Sequence, residues 1–410
     1  MKKTIALLAS LDTKSNEISF MRNLVEQMGH NPFIIDVGAR VSPAMKPDIT
    51  ALEVARSAGV NIKSLMELSK LEMIEILKSG IKNVVRDLFN QKRINGILSI
   101  GGLQNTVIAV EGMMELSIGF PKIMVSTVAS GKRSFESIVG SKDIIVIPSI
   151  VDFTGSNMIS DTILTNAVAA MVGMVEKAGK PIDPTGKFII GATLMGVVND
   201  GVAGAVEKVR NEGFEVLSFH STGVGGGIME ELIRSGMIHA VMDFSLHEMV
   251  CECFGGYSSG SDNRLVAAGE AGIPQIIAVG AVDFLDYETG NIPISLEDRK
   301  YLKHNAGLYH IKAKKEEILK VGNLIAHRLN EAKGPVTVLL PLRGFRQATE
   351  IGEALYDPEV DAALIEFLKK ELKPHIRIVE IDSNINGDGF IDVAVKEVLN
   401  LISDNTERKG

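Results

Sequence analysis

Between Phe214 and Asp243 an apolar stretch runs into a cluster of glycines and then into a helical pattern, an order that few folds accommodate. The run 214–219 reads as a buried strand. His220, Ser221 and Thr222 end it, and Gly223, Gly225, Gly226 and Gly227 follow at once. Ile228, Met229, Leu232 and Ile233 share one helical face, which Gly236 terminates, and 238–244 reads as a second buried strand. Strand, loop, helix and strand in this order form one unit of a parallel α/β sheet. Backbone without Cβ atoms admits a ligand closely, and N–H groups at a helix start attract anions. Gly225, Gly226 and Gly227, with Thr222, are therefore expected to line an anion site. The alternative is a turn that only packs helix against strand. No standard phosphate fingerprint fits, because Ile228 stands where a dinucleotide loop needs glycine and no Lys completes a Walker loop.

The same plan recurs along the chain. Residues 4–9 read as a buried strand, 10–17 as a polar loop feeding a helix over 18–28, and 31–37 as the next strand. Residues 50–92 are helical in pattern, with Gly59 and Gly80 as breaks. A strand over 94–100 leads into Gly101 and Gly102, and then into a helix over 107–116. Residues 178–186 read as a linker, after which the pattern restarts. The expectation is an α/β chain of two Rossmann-like, doubly wound domains with mainly parallel sheets, over 1–180 and 187–405.

Composition narrows the function classes. A content of 45% hydrophobic and 23% charged residues supports sizeable cores. The net charge of −8, with no Trp, argues against a nucleic-acid surface. No apolar run is read as reaching transmembrane length, so no membrane partner is expected. Two cysteines, Cys251 and Cys253, one residue apart, build no disulfide framework and suit a cytoplasmic protein.

Several polar groups suggest chemistry. Asp12, Thr13 and Lys14 follow the first strand, where doubly wound sheets bind phosphates, and Asp12 could reach Mg²⁺ or its water. Gly101, Gly102, Asn105 and Thr106 are a faint phosphate-loop candidate. Thr127, Ser130, Gly131 and Lys132 make a weak Walker-like stretch, with Ser126 and Arg133 at the mismatched positions. Both of the first two turns should open at one sheet edge, so any nucleotide is placed in the N-terminal domain. His220 is a candidate acid or base, and Glu230 its metal or proton partner. Glu230 is expected on the rim, since an unpaired buried carboxylate is costly. Arg264 could clamp a carboxylate or phosphate. His247 and Cys251 resemble a truncated zinc-protease motif and read as structural, so no side chains are assigned to a resident metal.

Five motifs occur in order: 11–17, 121–131, 220–230, Asp262-Asn263-Arg264-Leu265 and His304-Asn305. In these the chain resembles a family of largely uncharacterised bacterial and fungal proteins related to the N-terminal domain of the tomato mosaic virus resistance protein of tomato. The resemblance covers essentially the whole chain. It implies two Rossmann-like subdomains, ATP as cofactor with Mg²⁺, and a homodimer. The chain departs from the family at Leu103, Gln104 and Asn105, which replace the centre of the first glycine loop, and at Gly227, where an Arg is usual. The expectation is a cytosolic ATP- and Mg²⁺-binding protein acting on a small phosphorylated or carboxylated molecule. The alternative is a non-catalytic sensor or small-molecule-binding module with its ligand between the domains, around Arg264 and the glycine loop.

Overall fold

The computed structural model describes residues 1–38, 45–60, 69–129, 139–140, 142–177, 179, 186–296 and 299–409. The chain divides into two compact units, Met1–Asp183 and Pro184–Gly410. The expected linker, 178–186, lies mostly outside the described residues.

In the first unit, β1 (Thr4–Ala9), β2 (Asn31–Asp36), β3 (Gly96–Gly101), β4 (Lys122–Ser126) and β5 (Ile145–Pro148) form a parallel sheet in the order β2-β1-β3-β4-β5. Alternation along β1 explains its burial on both faces. Ile5, Leu7 and Ala9 pack with α1 (Leu11–Gln27) and a helix over Met158–Lys177. Ala6 and Leu8 pack with α2 (Ala51–Ser57), α3 (Lys70–Asn90) and α4 (Leu103–Met113). The helix Met158–Lys177, α5, is long and apolar enough to cross a membrane by length and composition, which corrects the expectation that no segment is. Its Leu164, Ala167, Val168 and Met171 belong to the core of this unit.

Two boundaries differ from expectation. The helix α1 starts at Leu11, not Ile18, because Asp36 at the end of β2 accepts the Leu11 N–H at 3.0 Å and supplies the cap that Ser10 does not. Asp12, Thr13 and Lys14 thus form a first helical turn, with a kink at Lys14. Gly80 does not break α3. A Cβ there would stand 2.0 Å from the Val54 carbonyl oxygen, so the glycine lets α2 cross closely.

The second unit holds a six-stranded parallel sheet and a three-stranded antiparallel one. The parallel sheet comprises β6 (Ile189–Leu194), β7 (Glu215–His220), β8 (Ala240–Asp243), β9 (Gln275–Ala278), β13 (Val336–Pro341) and β14 (Arg377–Ile381). Its order is β14-β13-β9-β8-β6-β7. The antiparallel sheet, β10 (Phe284–Glu288), β11 (Tyr301–Lys303) and β12 (Leu308–Lys312), lies between β9 and β13 in sequence and was not foreseen. Helices α6 (Asn199–Asn211) and α12 (Asp388–Lys409) cover one face of the parallel sheet. On the other lie α7 (Gly225–Arg234), α8 (His247–Phe254), α9 (Ala267–Ala271), α10 (Lys315–Asn330) and α11 (Pro358–Glu371). The run expected as a buried strand is the edge strand β7, with Ser218 and His220 exposed. Both units are doubly wound and Rossmann-like, as expected.

Candidate functional site

In the first unit the winding reverses between β1 and β3, the position where open α/β sheets hold ligands. Asp36, Ser10, Gly101 and Ser126 stand at or just beyond the ends of adjacent strands there. Asp36 Oδ1 accepts from the N–H groups of Leu11 and Gly38 at 3.0 and 2.8 Å. A Cβ on Gly38 would lie 3.0 Å from Asp12 Oδ1 and 3.1 Å from Asp36 Oδ1, so both carboxylates border one small space. Burial pushes the Asp36 carboxyl above its ordinary value, and the charge of Asp12 adds to the shift. Asp12 Oδ1 is shielded from solvent and has no hydrogen-bond partner among the described residues.

The helix α4 starts beside these groups. Gly102 is its N-cap and gives it no side-chain cap. A Cβ on Gly102 would meet Thr127 Oγ1 at 3.5 Å, which is ordinary contact, so the fold does not require glycine here. Gly101 is required: its φ is +156°, and a Cβ would stand 2.6 Å from that of Asn105. Asn105 donates to Ile100 O at 2.5 Å and to Ser99 Oγ at 3.1 Å. Thr106 Oγ1 pairs with Gly102 O and Ser126 Oγ. These two side chains tie α4 to the sheet. Lys14 Nζ donates to Phe153 O at 2.6 Å, and Thr13 Oγ1 bonds Ser10 O. Of the expected set, Asp12, Gly101, Gly102 and Thr127 meet at one edge. Ser130, Gly131 and Lys132 lie outside the described residues.

The glycine loop of the second unit is occupied from within. Gly223 N and Gly226 N donate to Glu248 Oε1 at 2.9 and 3.2 Å, and Gly227 N donates to Ser261 Oγ at 3.1 Å. The N–H groups expected to face a ligand face Glu248 and Ser261. Gly225 and Gly226 each have a packing reason. A Cβ on Gly225 would lie 2.2 Å from His220 O, and one on Gly226 would lie 1.8 Å from Glu248 Oε2 and 1.9 Å from Arg264 Nε.

Arg264 is fully buried, not a surface clamp. It donates to Glu248 Oε2 at 2.7 Å, to both Asp243 oxygens at 2.9–3.0 Å, and to Glu230 Oε1 at 3.3 Å. Asn263 and Leu265 on either side have φ of +63°, a strained conformation held by this network. Glu230 is 3% exposed, so its expected place on the rim is corrected. It also accepts from the Leu265 and Ala267 N–H groups at 2.7 and 2.6 Å. Burial pushes its carboxyl up, against the pull of Arg264. His220 is exposed, and its Nδ1 pairs with Thr222 Oγ1 at 2.9 Å. Its exposure rules out a core role for this histidine.

A second buried polar group lies around Phe284. Asp283 accepts from Arg346 Nε at 2.9 Å and from Lys312 Nζ at 3.4 Å, and Lys312 also reaches Asp361 at 3.2 Å. Arg346 and His247 flank the Phe284 ring, at 4.1 and 4.0 Å from its centroid. Burial, and next Arg346, push the His310 imidazole down to about 3. Sequence reading missed Asp36, Asp243, Glu248, Asp283 and Arg346. Each has a partner about twenty or more residues away, and only Asp36 and Asp243, at strand ends, carried a positional signal.

Together these observations define a two-unit Rossmann-like α/β protein with polar residues gathered at the carboxyl edges of its parallel sheets. The chain belongs to the uncharacterised protein family UPF0261, whose N-terminal domain matches residues 3–180 and whose C-terminal domain matches residues 187–402. The resemblance read from the ordered motifs is thus confirmed. A UPF0261 protein of Clostridium tetani (strain Massachusetts / E88) is 39% identical over 406 residues, covering 98% of this chain and 100% of the relative. The ToMV resistance protein Tm-1(GCR237) of Solanum lycopersicum is 32% identical over 335 residues, 80% of this chain but 44% of its own length. Among solved structures, the S. aureus MnaA–UDP co-structure covers 99% of this chain and 97% of its own, at 12% identity. Its TM-score of 0.25 is too low to define a shared fold.

Proposed function

We propose that the chain is a cytosolic ATP- and Mg²⁺-binding protein that takes the nucleotide phosphates at the β1–β3 edge of the first unit and acts on a small phosphorylated or carboxylated molecule. The observation that supports this reading is the contrast between the two glycine loops. The loop before α7 has its N–H groups engaged by Glu248 and Ser261, whereas the first turn of α4 has no side-chain cap and a glycine that the fold does not need. A helix start of this kind favours phosphate oxygens. The residues fit the cation too, because hard Mg²⁺ prefers carboxylate oxygens and Asp12 Oδ1 is shielded and without a partner among the described residues. Mg²⁺ would neutralise phosphate charge beside the carboxylates. Asp12 and Asp36 would hold it, while Gly102 lets the backbone approach.

The test is Gly102→Ala, read by calorimetric titration with Mg²⁺–ATP. The added methyl meets nothing closer than 3.5 Å, so the ligand-free melting temperature should stay unchanged. ATP affinity should fall at least tenfold. Wild-type affinity in this variant refutes the placement. Metal-dependent loss of ATP with a co-substrate then separates an enzyme from a binding module.

A further inference from the structure

The motif His247-Glu248-Met249-Val250-Cys251 lacks the second histidine of a zinc protease and by itself suggests no metal. The fold changes its meaning by adding a third side chain. The helix α8 places His247 and Cys251 four residues apart, hence on one face. The strand β10 brings Asp286 against that face. The His247 Nε2–Asp286 Oδ2 distance is 3.3 Å and the Cys251 Sγ–Asp286 Oδ1 distance is 3.4 Å. One ligand atom from each of the three residues lies within 4.8 Å of the others. Donors about 2.0–2.3 Å from a tetrahedral zinc ion stand roughly 3.3–3.8 Å apart, a spacing that the two measured pairs have, one through each Asp286 oxygen.

The hydrogen bonds indicate what is missing. His247 Nδ1 lies 2.9 Å from the Ala281 carbonyl, which can only accept, so Nδ1 carries a proton and Nε2 lies beside Asp286. A backbone carbonyl that holds Nδ1 in this way orients a histidine to bind metal through Nε2. Nε2 has no hydrogen-bond partner among the described residues. The Asp286 Oδ2 that it faces already accepts from the Ser258 hydroxyl at 2.5 Å and the Ser258 N–H at 3.1 Å. Unless a proton or a metal ion stands between them, an Nε2 lone pair lies 3.3 Å from a carboxylate oxygen where both side chains are fully buried. A cation between them removes that repulsion. The 255–258 turn seals the place: Gly256, at φ +136°, lies so close that a Cβ would be 2.5 Å from Asp286 Oδ1 and 3.3 Å from Cys251 Sγ.

We propose that His247, Cys251 and Asp286 bind one thiophilic divalent cation, zinc by its chemistry. Thiolate and imidazole together select zinc over the hard cations Mg²⁺ and Ca²⁺. The thiolate and the carboxylate supply two negative charges, which match a divalent ion in a dry site. On binding, the Cys251 thiol proton leaves to solvent and the sulfur–metal bond forms in its place. This site is separate from the nucleotide edge of the first unit and does not depend on it.

The test is titration of the full, metal-free chain with Co²⁺, followed by displacement with Zn²⁺. One equivalent of Co²⁺ should produce thiolate-to-cobalt charge-transfer absorption, which Zn²⁺ abolishes. The chain has two cysteines, which makes Cys253 an internal control. Cys253→Ser should keep the absorption and Cys251→Ser should lose it. No stoichiometric binding, absorption that survives Cys251→Ser, or absorption lost in Cys253→Ser overturns the proposal. If Cys251→Ser does not fold, Ser258→Ala decides. Losing the hydroxyl that orients Asp286 should weaken Co²⁺ binding about 10- to 100-fold, and unchanged affinity overturns the assignment.

Discussion

Arg264→Met isolates the buried network of the second unit. The guanidinium is fully buried and serves Asp243, Glu248 and Glu230, each at most 3% exposed. Removing one partner of a buried pair costs about 3–5 kcal/mol, because the other charge stays behind unpaired. Here three carboxylates stay behind, so the upper end of that range, about 5 kcal/mol, is the expectation. Domains hold only about 5–15 kcal/mol in total. With a urea dependence of about 2–3 kcal/mol per molar, the unfolding midpoint should drop by about 2 M. Amide hydrogen exchange at Leu265 and Ala267, whose N–H groups donate to Glu230, reports the same loss locally. The pH dependence has a definite sign. Burial already pushes the Glu230 carboxyl above its ordinary value against the pull of Arg264, and loss of the cation removes that pull. The variant should therefore come closest to wild type below about pH 4 and fall behind as pH rises toward 7. A variant with a wild-type midpoint and exchange rates, but weakened binding of small anions, would refute this and return Arg264 to the role of ligand clamp.

Other expectations concern single positions. Gly226→Ala forces a methyl into Glu248 and Arg264 and should cost about 3 kcal/mol, read by chemical denaturation. Gly227→Ala meets only Ser261 Oγ, at 3.1 Å, and should stay within about 1 kcal/mol of wild type. Buried His310, whose imidazole is pushed down to about 3, contributes stability that is present above its unfolded value near 6.5 and is lost as pH falls toward 3. Melting temperatures from pH 7 to 4 should fall less steeply in His310→Gln, and an identical slope would exclude this residue.

The doubly wound plan was readable because β1, β3 and β4 are apolar on both faces, the mark of a parallel sheet covered by helices. Where a second segment decides, the local pattern misled. The start of α1 is fixed by Asp36, twenty-five residues away from Leu11. Phe214, Leu217 and Phe219 suggested a buried strand, but β7 closes the sheet at its edge, and of its residues only Val216 is buried. The glycines of 225–227 suggested a ligand site, whereas the N–H groups of Gly223 and Gly226 meet Glu248 and that of Gly227 meets the Ser261 hydroxyl. That internal partner was not readable, since Glu248 sits one helix and one strand further on and looks like any helical surface acid. Likewise Asp286 gives His247 and Cys251 a third neighbour only after the chain has crossed β9.

The carboxylate of Glu248 makes the α7 loop a receptor tethered to its own ligand. Its effective concentration is set by the backbone between the two segments, so free anions in solution compete poorly. The loop should therefore be indifferent to ambient phosphate, and its conformation should carry no information about metabolite levels. Glu248→Ala would cut that tether, leaving the N–H groups of Gly223 and Gly226 and the Arg264 Nε around a space the size of a carboxylate. Acetate or formate could then restore by mass action what the chain had supplied covalently.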